Sequence, residues 1–259
     1  MGIKLYTNVD IGDVPRTPAQ PYFNSPFLDT ARQTLLIHAL DLGYPISFAQ
    51  EQSGALIQNI LPVHKTEYEQ ISTSSKVKLA LHTETAFHPH KPDYVILLCL
   101  RGDSSAVTTY ADVEDIINLL EKETISYLQD IAYTTGIDKS FMTTGKTYRQ
   151  VVLPVLKKIN ENDYNMLYDE DLMKPTNVLA DRALKKFSEA IAKCTKKLVL
   201  KTGDLLVIDN NKTVHGRKPF QPRYDGTDRW VQRMLVKKIL PPKEEMNGHM
   251  VMTNFEVQQ

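Results

Sequence analysis

The sequence predicts an α+β chain built on a double-stranded β-helix, a cupin-like jelly roll with flanking helices. Three observations carry this. Short apolar segments of strand character alternate with longer segments of helical period, with no internal repeat, no low-complexity stretch and no linker long enough to separate a second domain. The composition is that of an ordinary folded chain, 42% hydrophobic and 24% charged over 259 residues, enough to bury one large core. Finally, a His-X-Glu triplet on one strand-like segment has a lone histidine far downstream as its complement, a placement natural to two facing sheets.

The elements follow in order. Residues 27–42 carry Leu28, Ala31, Leu35, Leu36, Ile37 and Leu40 at roughly helical spacing, and Gly43 supplies the stop. Residues 55–61 read as a strand closed by Pro62. Alternation over 76–87 predicts a strand with two different faces, and the unbroken apolar run 94–100 predicts one buried on both. Residues 113–133 and 178–198 predict long amphipathic helices. The second sets Leu179, Ala183, Phe187 and Ile191 inward and Lys185 and Lys186 outward. After a turn at Gly203-Asp204 come a strand over 205–209, a loop that delivers His215, and a last strand over 230–239.

Several function classes are excluded at this level. Lys+Arg and Asp+Glu both number 31, so neither a nucleic-acid footprint nor a polybasic membrane attachment is expected. No stretch approaches the roughly 20 apolar residues of a membrane span, and the N-terminus lacks a signal-peptide core. Gly2 begins a myristoylation-like match that Tyr6 breaks. Cys99 and Cys194 are too few for a disulfide scaffold, so the expected location is cytoplasmic. Arg101-Gly102-Asp103 reads as a strand-ending turn. Gly145-Lys146-Thr147 lacks the first glycine of a phosphate loop, Ser140 standing there instead. His88, beside Pro89 and Pro92, belongs to a turn rather than to a ligand set.

The chemistry rests on His82-Thr83-Glu84 and His215. In an extended strand residues i and i+2 share a face, so His82 and Glu84 aim at one point while Thr83 looks away. His215, 133 positions downstream, supplies a second imidazole. Two histidines and a carboxylate hold ferrous iron on one face and leave the opposite face open to a co-substrate and dioxygen. That points to an oxygenase. A zinc hydrolase uses similar ligands, and a non-catalytic metal- or small-molecule-binding jelly roll is the reading from another class.

Two longer blocks carry a family resemblance. Leu81-His82-Thr83-Glu84-Thr85-Ala86-Phe87-His88, with Lys91-Pro92-Asp93-Tyr94 and Leu98-Cys99-Leu100-Arg101, is the first. The second runs from Gly203-Asp204-Leu205-Leu206-Val207-Ile208-Asp209-Asn210 through His215-Gly216-Arg217 to Asp228-Arg229-Trp230. Together they resemble the clavaminate synthase-like branch of the taurine-dioxygenase superfamily, amino-acid hydroxylase type. The resemblance implies iron(II), 2-oxoglutarate and dioxygen, and His82, Glu84 and His215 as metal ligands. Related halogenases carry Gly or Ala where Glu84 stands, so its presence implies hydroxylation.

Arg229, fourteen residues after His215, falls where the family's arginine grips the distal carboxylate of 2-oxoglutarate, a task suited to a bidentate guanidinium. Thr108 falls where a hydroxyl assists, with Thr109 one position away. Arg233 shares a strand face with Arg229 and would hold a substrate α-carboxylate. Asp169 and Asp171, in Tyr168-Asp169-Glu170-Asp171-Leu172-Met173, lie in the region that covers the substrate in relatives, where acidic residues suit a guanidinium or ammonium. The expectation is therefore one domain over 1–259, with a lid-like insertion over roughly 133–177. It would hydroxylate a free basic amino acid resembling arginine or lysine and release succinate and carbon dioxide. Desaturation or cyclisation with the same cofactors is the alternative outcome.

Overall fold

Strands form where the apolar segments place them, and each turns its alternate side chains to a different layer. The computed structural model describes residues 2–142, 147–253 and 255. Gly145 and Lys146 of the phosphate-loop look-alike lie outside them. In chain order the elements begin with β1 (Ile3–Tyr6), α1 (Asp29–Leu40), β2 (Tyr44–Phe48), β3 (Gln58–Ile60), β4 (Leu79–His82), β5 (Tyr94–Arg101) and β6 (Thr108–Asp112). Next come α2 (Val113–Ile117), α3 (Lys122–Leu128), β7 (Tyr133–Thr135), β8 (Val151–Leu153), β9 (Leu156–Asn160), β10 (Asp163–Met166), β11 (Lys174–Pro175) and α4 (Val178–Cys194). The chain closes with β12 (Lys196–Leu198), β13 (Leu205–Asp209), β14 (Thr213–Arg217), β15 (Trp230–Lys237), β16 (Met246–Asn247) and β17 (Met250–Val251).

Two sheets face one another as a jelly roll. The larger runs β1-β13-β5-β15-β2-β17-β16, with β3 also paired to β15; the smaller runs β12-β6-β14-β4. In the large sheet, Ile96, Leu98 and Leu100 of β5 and Trp230, Met234 and Val236 of β15 pack outward against Ala31, Leu35 and Ala39 of α1. The alternate residues Val95, Leu97, Cys99, Val231 and Leu235 fill the interior with Ile46, Phe48 and Leu206. In the small sheet, Leu81, Ala111 and Val214 turn outward onto a cluster with α2, α3 and α4. His82 and His215, one residue along, therefore turn inward. Residues 133–175 add a three-stranded sheet, β11-β7-β8, and the β9-β10 hairpin.

Several expectations need correcting. The strand predicted over 76–87 ends at His82, and the chain then bends; Thr85 has φ 49°, in the left-handed region. His215 lies inside β14, not on a loop. The long helix expected over 113–133 is two short ones, because Glu121 takes extended backbone (φ −71°, ψ 148°) and becomes the N-cap of α3. The break lets Ile116 and Leu128 reach the same core cluster. The helix expected over 178–198 stops at Cys194, after which Lys196–Leu198 pairs with β6. Leu36, Ile37, Leu40 and Leu179 are exposed, since Ala31, Leu35 and Ala39, and Ala180 in place of Leu179, form the inward stripes. No helix among the described residues is long and apolar enough to cross a membrane.

Phe187 anchors α4 on the small sheet with no exposed surface, edge-on to Tyr168 at 5.3 Å. Phe187→Ala is expected to cost about 3–5 kcal/mol of unfolding free energy, since it removes a large buried ring and leaves a cavity. Denaturant unfolding followed by far-UV circular dichroism measures it.

Candidate active site

The two imidazoles are brought together by strand register. His215 of β14 lies opposite His82 of β4, and their rings stand 4.6 Å apart at 45°. Gly216 makes this approach possible: a Cβ there would lie 2.5 Å from the Leu79 carbonyl oxygen, so no other residue lets β4 come so near. Glu84, beyond the strand end, reaches the same point through the bend. Asn210 fixes that bend. Its Oδ1 accepts from the Glu84 N–H at 2.8 Å, while its Nδ2 donates to the Glu84 carbonyl at 3.1 Å and to the Pro92 carbonyl at 2.8 Å. One donor atom from each of His82, Glu84 and His215 falls within 4.8 Å of the others, the spacing of a preformed metal site.

The donor atoms are oriented for that use. His82 Nδ1 is satisfied by the Ala80 carbonyl at 2.8 Å, which leaves Nε2 free. His215 Nδ1 is buried without a hydrogen-bond partner, and its Nε2 lies 3.5 Å from Glu84 Oε2. Burial alone would raise the Glu84 pKa. The Arg233 guanidinium, then His215 and His82, hold it well below the usual carboxylate range. Burial lowers His215. Burial also opposes charge on His82, but Glu84 and Asp169 beside it raise its pKa above 6.5 overall.

All eight residues singled out from the sequence line one cavity between the sheets: His82, Glu84, His215, Arg229, Thr108, Arg233, Asp169 and Asp171. Thr108 lines it and Thr109 does not. Arg229 is buried just ahead of β15 and makes no ion pair among the described residues; Asp103 is felt electrostatically only. Arg233 is fully engaged. It donates to Glu84 Oε1 at 2.7 Å, to Glu51 at 3.0 and 3.1 Å, and from Nε to Gln58 Oε1 at 2.8 Å.

Asp169 accepts from the backbone N–H groups of Asp171 and Leu172 at 2.9 and 2.8 Å, which shapes the loop. Glu170 turns the other way, to Lys78 at 2.6 Å and the Leu81 N–H at 2.9 Å. Sequence reasoning missed Glu51, Gln58 and Asp138, which lie on loops or a strand end without a periodic signal, and quoted Arg217 in the family block without giving it a role. Burial, then Asp169 nearby, pushes Asp138 up to about 7. His88 is no ligand: it packs among Phe48, Phe87 and Phe141 and accepts the His90 N–H at 2.9 Å.

Two imidazoles and one carboxylate, held between the sheets of a jelly roll with one face open, define a mononuclear metal centre of the non-haem iron type. Residues 26–235 match the model of the taurine catabolism dioxygenase TauD, TfdA family, and the chain belongs to that family. It is 37% identical to the L-asparagine oxygenase of Streptomyces coelicolor over 204 residues, 78% of this chain and 60% of that protein. It is 33% identical to the L-lysine 3-hydroxylase of Catenulispora acidiphila over 204 residues, 75% of this chain and 55% of that protein. Each match spans less than two thirds of the relative's length. The fold superposes on the non-heme iron oxygenase OrfP in complex with Fe, succinate and (3S)-hydroxy-L-Arg, with a TM-score of 0.87 and 28% identity over 97% of this chain and 82% of that one. OrfP has also been solved with Fe and alpha-ketoglutaric acid.

Two outcomes follow. Asn210→Ala is expected to weaken iron(II) or cobalt(II) binding by about 10–100-fold, the usual cost of losing an outer support, in an anaerobic metal titration. Metal affinity is also expected to fall as pH drops. His82, whose pKa stands above 6.5, takes up the proton that competes with the metal, while His215 is already neutral. Affinity should plateau above the His82 pKa; a pH-flat affinity between about pH 6 and 8 would contradict this.

Proposed function

We propose that the protein is an iron(II)/2-oxoglutarate-dependent dioxygenase that hydroxylates a free basic amino acid. One observation carries the reading: the His-Glu-His donors share one cavity with the buried guanidinium of Arg229 and with Asp138, Asp169 and Asp171. The donor set fits a divalent iron: His82 Nδ1 is taken by a carbonyl so that Nε2 is free, His215 Nε2 lies beside Glu84, and the buried carboxylate is already ionised. Iron(II) with 2-oxoglutarate and dioxygen supplies an oxidant able to replace C–H by C–OH, with succinate and carbon dioxide as co-products.

The chain's own residues then divide the work. His82, Glu84 and His215 hold the metal. The unpaired guanidinium of Arg229 and the Thr108 hydroxyl take the distal carboxylate of 2-oxoglutarate, because a buried cation without a counter-ion calls for an anion. Arg233 and Glu51, side by side, present a cation and an anion to the α-carboxylate and α-ammonium of an amino acid. Substrate entry exchanges some of that internal pairing for the zwitterion. At the far side Asp169 and Asp171, with Asp138, suit a guanidinium or ammonium and explain a preference for arginine-, lysine- or ornithine-like side chains.

Within one domain, the insertion over roughly 133–177 works as the lid, since Asp138, Asp169, Asp171 and Leu172 come from it and exclude water from the reacting carbon. On the same reading the enzyme works in the cytoplasm, where amino acids and 2-oxoglutarate are both at hand.

Succinate formation by the iron-loaded protein is expected to rise on addition of arginine, lysine or ornithine and not of asparagine, with a mass gain of one oxygen in the amino acid. Asp169→Asn and Asp171→Asn are expected to lower kcat/KM for the basic substrate about tenfold or more. Stimulation by asparagine alone, with the variants unaffected, would overturn the substrate assignment. A product two hydrogens lighter than the amino acid would replace hydroxylation by desaturation.

A further inference from the structure

The cavity holds one guanidinium more than the functional reading uses. We propose that Arg217 is a second cationic contact for the distal carboxylate of 2-oxoglutarate, facing Arg229 across the gap between the sheets; this rests on the co-substrate reading above.

The placement follows from register. Arg217 of β14 lies directly opposite Thr108 of β6, and cross-strand partners share a face. It also lies two residues after His215, on the same side of its strand. Arg217 and Thr108 thus enter the interior from the small sheet, while Arg229 enters from the large one, and all three line the same cavity. Both arginines are buried, at 4% and 6% exposure, and neither forms an ion pair among the described residues. Arg217 donates to the Ser72 carbonyl at 3.3 Å and to Ser74 Oγ at 3.0 Å, and its guanidinium rests on the Phe220 ring at 5.0 Å. Its Nε is left buried with no partner.

Two buried guanidiniums without a counter-ion repel one another and forfeit their hydration. Glu51 and Glu84 are committed to Arg233 and bring no relief. A single carboxylate between the two cations satisfies both. The alternative is that Arg217 only ties down the 72–74 segment through Ser72 and Ser74.

Binding measured without turnover separates these. The iron(II)-loaded protein, Arg217→Met, Arg217→Lys and Ser74→Ala are titrated anaerobically with 2-oxoglutarate and with pyruvate, a 2-oxo acid that lacks the distal carboxylate, and Kd is read by calorimetry. Arg217→Met is expected to raise the 2-oxoglutarate Kd by about tenfold or more and to leave the pyruvate Kd unchanged. Arg217→Lys should recover some of the loss, and Ser74→Ala should alter neither. Arg217→Lys alone carries the ratio test if the methionine variant does not fold, its 2-oxoglutarate Kd rising against an unchanged pyruvate Kd. Equal loss for both ligands, no loss, or the same loss in Ser74→Ala overturns the assignment of Arg217. Wild-type protein that binds iron(II) but no 2-oxoglutarate sinks the co-substrate reading itself.

Discussion

A buried carboxylate organises this molecule. Glu84 stands almost out of water between the sheets, where an unpaired negative charge is prohibitively unfavourable. Its charge is kept by Arg233 on one oxygen and by the imidazole of His215 near the other. That arrangement needs the chain to leave β4 just after His82, to pass through a left-handed residue at Thr85, and to be caught by Asn210. Asn210 follows directly on β13 of the large sheet, whereas His82 ends a strand of the small one. The proposed metal-binding point is therefore where the two sheets are stitched to one another, and packing of each sheet bears on donor geometry.

Charge in the cavity is grouped. Arg217 and Arg229 lie near one another and form no ion pair among the described residues, while Asp138 lies near Asp169. Arg233 lines the same cavity, paired with Glu51 and Glu84. A dianionic co-substrate would be drawn to Arg217 and Arg229 and a cationic amino acid to the acids. Sequence composition could not reveal this, since the whole chain is balanced at 31 charges of each sign.

Much of the site was legible in the sequence, though not for the geometric reason the triplet suggests. His82, Glu84 and His215 were identifiable by residue type. A shared strand face does not unite the first two, since Glu84 lies past the end of β4 and arrives through a bend. Arg229 was legible from its place in the family's motif, fourteen residues after His215, and Arg233 from strand alternation four residues further on. Asp169 and Asp171 stood out as an acidic cluster in the region that covers the substrate in relatives. Glu51 and Asp138 carry no local pattern: each is an isolated acid on an irregular segment, brought to the cavity by long-range packing. The break between α2 and α3 was hidden because residues on both sides keep an apolar period, and only the extended backbone at Glu121 interrupts it.

The acidic loop at 168–170 is, in effect, a fragment of extra strand laid along β4. The Thr83 N–H donates to the Tyr168 carbonyl at 2.7 Å, His82 bridges to Asp169, and the Glu170 N–H donates to the Leu81 carbonyl at 3.0 Å. Side chains on such a segment alternate, so a slip of one residue would exchange Asp169 for Glu170 in the cavity. The segment proposed to choose the substrate is thereby threaded onto the strand that presents His82, a proposed metal ligand. Grafting this loop from a homologue would transplant coordination geometry along with selectivity, so the unit to exchange in redesign is the loop together with β4.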